Sequence, residues 1–135
     1  MKQKIFSCVF LVTSTVIGLG AFGHAAQWWK VVYPVLGNRV SDPRMLNMLL
    51  AVWLFVSGGM LSFGLVLIWT WLRMRKGDRG VAVIPIGIAV FYFIFGVLSW
   101  IYVGRFFALF VVLSTLLFIS TLVLNVHRTA ADLDQ

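Results

Sequence analysis

The sequence predicts an all-α fold, a four-transmembrane-helix up-and-down bundle that forms one integral membrane domain over residues 1–135. Three observations predict it. Hydrophobic residues make up 61% of the chain and charged residues only 11%, whereas roughly 25% of residues are charged in soluble domains. The mean hydropathy is +1.01. The apolar residues also gather into four long runs separated by short polar stretches, each run close to or above the ~20 residues that span a bilayer core.

The first run extends from about Ile5 to Gly23 behind Lys2 and Lys4. A cleavable signal peptide is its rival reading, because Gly23-His24-Ala25 places small residues where a signal peptidase reads them. A run of about 19 residues is longer than the ~7–15 of a signal core, so a retained helix over 5–23 is expected. Cys8 follows Ile5-Phe6-Ser7 in a faint likeness to a lipoprotein cleavage site, but the residues before it are too few for a charged and an apolar region. As the lone cysteine it supports neither a disulfide framework nor a Cys-based metal site.

An outer loop is expected at 24–42. It carries Trp28, Trp29 and Tyr33, whose apolar bodies and polar edges suit the headgroup level, then a Gly37-Asn38 turn signal. Asp42-Pro43 reads as a helix start, with Asp42 as cap and Pro43 preset for the first turn. The second helix is expected at 43–72. Within it Ala51, Gly58 and Ser62 form a small-residue stripe on one face, a pattern that lets a neighbouring helix approach closely in lipid. Packing inside the bundle and a seam with another chain are both open for that stripe.

The stretch 73–80 holds Arg73, Arg75, Lys76 and Arg79 against Asp78 alone and reads as a cytoplasmic loop. The third helix is expected at 81–103, with Pro85 in its first turns where a missing N–H costs least. Gly104-Arg105 makes a tight turn into a fourth helix at 106–126, which forces helices three and four into an antiparallel hairpin. A polar tail with Asp132 and Asp134 follows.

Charge placement sets the expected orientation. With the N-terminus inside, seven cations (Lys2, Lys4, Arg73, Arg75, Lys76, Arg79, Arg128) face the cytoplasm and four (Lys30, Arg39, Arg44, Arg105) face out. The positive-inside rule then places both termini in the cytoplasm, in a bacterial inner membrane. The net charge of +7 reads as anchoring charge, and the bilayer is the expected partner instead of nucleic acid.

Chemistry is thinly represented. The central parts of helices two, three and four contain no Asp, Glu, Lys, Arg or His, and the chain has no glutamate at all. An intramembrane charge is the usual mark of a transport path, so proton-coupled antiport is disfavoured. No acid, base and nucleophile set can be assembled; no catalytic residue, cofactor or metal is expected, and the chain reads as a non-enzyme. His24, beside Trp28 and Trp29 at the outer end of helix one, is the one candidate for a ligand contact, with Trp100 near the same face. His127 reads as a cation suited to a helix C-terminus. The many serines and threonines are expected to bond back to their own helices or across to a neighbouring one.

Three stretches stand out: Gly18-Leu19-Gly20 through Gly23-His24, Ser57 with an aromatic end at Ile68-Trp69, and Val97-Leu98-Ser99-Trp100 leading through Tyr102 to Phe106-Phe107-Ala108-Leu109-Phe110. In these the chain resembles a group of small uncharacterised bacterial four-helix inner-membrane proteins. The resemblance implies the same architecture and that His24 and Trp100 are not arbitrary; it implies no activity. Two functions follow as expectations: a non-catalytic protein that binds itself or another membrane protein through Ala51, Gly58 and Ser62, or a carrier of a small hydrophobic or lipidic molecule near His24, Trp28, Trp29 and Trp100.

Overall fold

A computed structural model describes the backbone of residues 2–133 and the side chains of residues 3–125. The side chains of Lys2, His127, Arg128, Asp132 and Asp134 lie outside that description. Among the described residues every regular element is helical. Four segments, Gln3–Leu36, Pro43–Arg75, Gly80–Tyr102 and Arg105–Asn125, are long and apolar enough to cross a membrane.

The first of these corrects an expectation. Helix α1 runs Lys2–Gln27, passes through one π turn at Trp28–Val32 and continues as the single turn α2, Tyr33–Leu36. Most of the outer loop expected at 24–42 is therefore helix. Interfacial aromatics change where a segment sits without breaking it, and no strong helix breaker interrupts Ala25-Ala26-Gln27. Pro34 lacks an N–H for the carbonyl four residues back, and its ring needs room in the preceding turn. The wider π turn fits that need, and it closes with Tyr33 N–H on the Trp28 carbonyl. The helix stops at Gly37-Asn38, where Gly37 N–H meets the Tyr33 carbonyl at 2.8 Å.

Helix α3, Pro43–Arg75, begins as the sequence predicts: Asp42 Oδ1 accepts from the Arg44 N–H at 2.9 Å, with Pro43 in the first turn. It ends in a Schellman arrangement in which Gly77 N–H reaches the Met74 carbonyl and Asp78 N–H the Arg73 carbonyl. The Arg73 guanidinium then grips Asp78 through two nitrogens at 2.7 and 3.1 Å. Helix α4, Val83–Tyr102, follows a short 3₁₀ turn, and a second one leads into α5, Ala108–Leu133. Between them Gly104 has φ 153° and ψ 171°, a region that essentially only glycine occupies.

Helix α1 is the hub. It packs along α3 on one side and α5 on the other, α4 packs on α5, and α3 meets α4 over little of its length. The core comprises Phe10, Ile17, Leu67, Met74, Ala89, Tyr92, Leu113, Leu117 and Leu124 with a few neighbours. The α1/α3 crossing is closest where two glycines face. A Cβ on Gly64 would lie 2.7 Å from the Gly18 nitrogen and 3.2 Å from the Ser14 carbonyl oxygen, so any side chain there would push the helices apart. Buried hydroxyls bond back within their own helices, Ser14 to the Phe10 carbonyl and Thr70 to Val66, each at 2.7 Å.

Candidate functional site

The end of α1 and the first half of α3 are joined by a compact polar cluster. His24 sits near the end of α1, and Trp53 and Ser57 lie one turn apart on α3, so all three share the interface. The His24 imidazole stacks on Trp53 with centroids 4.2 Å apart and planes 8° from parallel. The Trp53 indole N–H donates to the His24 carbonyl at 2.6 Å. His24 Nδ1 lies 2.9 Å from Ser57 Oγ, and the Ser57 hydroxyl donates to the Trp53 carbonyl at 3.0 Å.

A serine hydroxyl has one hydrogen, and Ser57 Oγ stands within reach of both the Trp53 carbonyl and His24 Nδ1, so the imidazole tautomer sets which way the His24–Ser57 bond runs. The cluster is a clasp between two helices. Trp28 extends it: its ring lies 6.0 Å from Trp53 and is only 2% exposed, and its indole N–H has no acceptor among the described residues.

The other residues singled out in the sequence are scattered. Trp29, one position on, points outward and packs on Tyr33 with centroids 5.8 Å apart. Trp100 stands half-exposed on α4, and no ring contact or hydrogen bond joins it to His24. Ala51, Gly58 and Ser62 are all exposed on α3, and a Cβ at Gly58 would meet nothing within 4 Å. The stripe therefore does not pack inside the bundle. That role belongs to Gly64, Leu67 and Thr70, on the opposite side of the same helix. Trp53 went unremarked in the sequence; its spacing of four from Ser57 is the signal that pairs them.

Two clefts lie away from the clasp. One, of about 320 Å³, is a nearly apolar groove between α4 and α5 beside Phe93 and Phe118. The other, of about 520 Å³, opens at the opposite end of the bundle, between the start of α1, the end of α3 and Leu124 of α5. Trp71 forms its wall and donates from its indole N–H to Ser7 Oγ at 2.9 Å. The Arg75 guanidinium lies 4.8 Å over the Trp71 ring. Among the described residues no three His, Cys, Asp or Glu side chains come together to hold a metal ion. Compared with protein-family models, curated proteins and solved structures, the chain matches none.

Proposed function

We propose that this chain is a non-catalytic protein of the bacterial inner membrane, with both termini in the cytoplasm, that works by associating with a second copy of itself along the outward face of α3. One observation carries the reading: the small-residue stripe is left open. At 100° per residue, Ala51, Phe55, Gly58 and Ser62 fall within about 60° of one another and roughly opposite the buried face. Phe55 is the most exposed large hydrophobic side chain of that helix at 82%, and Gly58 lies one turn along. A knob and a notch on one stripe make it self-complementary about a two-fold axis, the form a symmetric dimer requires.

The carrier reading draws less support, because neither of the two clefts described is lined by His24, Trp28, Trp29 or Trp100. The dimer is tested by disulfide crosslinking in membranes, in a Cys8→Ser background. Ser62→Cys is expected to give a crosslinked dimer and Val90→Cys, on the far hairpin, is not. Adding Gly58→Leu should weaken association by about 1–3 kcal/mol through overpacking. Monomer alone from both Ser62→Cys and Ala51→Cys would sink the proposal; a crosslink to a different protein would replace the second copy with that partner.

A further inference from the structure

We infer that the cleft at the basic end of the bundle binds an anionic phospholipid, with its phosphate at Lys4 and Arg75 and an acyl chain against the apolar depth of the cleft. The lining is graded in polarity along the helix axes. On α1 it passes from Gln3 and Lys4 through Ser7 to Leu11, a descent of about 10 Å at 1.5 Å per residue. On α3 it passes from Arg75 inward to Trp71, and Leu124 of α5 closes the apolar part. A cationic mouth over a greasy interior is the charge and polarity profile of a lipid whose headgroup is negative.

Size and setting agree. A volume of about 520 Å³ is within the ~300–1,000 Å³ of small-ligand sites. The Trp71–Ser7 hydrogen bond spans α1 and α3 and fixes the wall. The Arg75 guanidinium carbon lies 4.8 Å from the centre of the Trp71 ring at the mouth, and guanidinium suits phosphate oxygens. The cleft shares its end of the bundle with Arg73, Lys76 and Arg79, so the local field draws anionic headgroups there. The bound lipid is one molecule in a defined cleft, distinct from the diffuse attraction of a basic loop.

Cys8 supplies a native reporter. It is exposed, lines the cleft and is the sole cysteine. The experiment measures alkylation of Cys8 by an uncharged maleimide in nanodiscs of phosphatidylcholine alone or with added phosphatidylglycerol. Phosphatidylglycerol is expected to slow labelling severalfold in the wild type and in Lys30→Gln, a charge change at the other end. In Lys4→Gln/Arg75→Gln the protection should fall away, because loss of two cationic contacts weakens binding roughly thirtyfold. Native mass spectrometry should show one phosphatidylglycerol retained by the wild type and lost from the double variant. Equal labelling in both lipid mixtures, or slowing that persists in the double variant, overturns the inference. Protection by inorganic phosphate in phosphatidylcholine discs reassigns the mouth to a free anion and overturns the lipid.

Discussion

Gly58 and Gly64 lie less than two turns apart on one helix and have opposite surroundings. Gly64 is pressed against the Gly18 backbone, whereas nothing stands within 4 Å of a Cβ at Gly58. Gly64→Val should therefore destabilise the isolated protein by about 1–3 kcal/mol, since the helices must separate to admit the side chain. Unfolding in mild detergent titrated with a denaturing one would register it. The difference between the two glycines was not legible in the sequence. Lipid is as apolar as the bundle interior, so the hydrophobic pattern does not mark an inward face, and Phe55 and Tyr102 are each 82% exposed. The stripe Ala51-Gly58-Ser62 was visible as a pattern, but its direction was set by partners far away in sequence. For His24 the aromatic neighbourhood was readable; the closing partners Trp53 and Ser57 lay on another helix.

At the level of elements, hydropathy locates the spans because a backbone in lipid must satisfy its own hydrogen bonds. The start of α3 was equally plain, since Asp42-Pro43 is a local signal and works locally. The end of the first helix was not. Residues 24–36 have interfacial composition, which reports depth in the membrane and is silent on backbone conformation. The α4/α5 hairpin rests on one position. Gly104→Ala places a Cβ at φ 153°, and the strain should cost about 1–3 kcal/mol. The same detergent titration should show the loss, while Gly23→Ala, where a Cβ meets nothing within 4 Å, should leave stability unchanged or raise it by up to about 1 kcal/mol, alanine being the better helix former.

Over the whole molecule, the basic residues of the 73–80 turn and the start of α1 gather at one end of the bundle. On the proposed topology, Lys76→Cys in a Cys8→Ser background should react with a membrane-impermeant maleimide only in opened cells; labelling in intact cells would invert that topology. The packing also divides the chain in time. Helices α1 and α3 share a close seam, as do α4 and α5, while α3 and α4 hardly touch. Each hairpin can thus bury its own interface as soon as its second helix leaves the translocon. The α1/α5 contact needs the last span, so the bundle is expected to close by docking of the two hairpins.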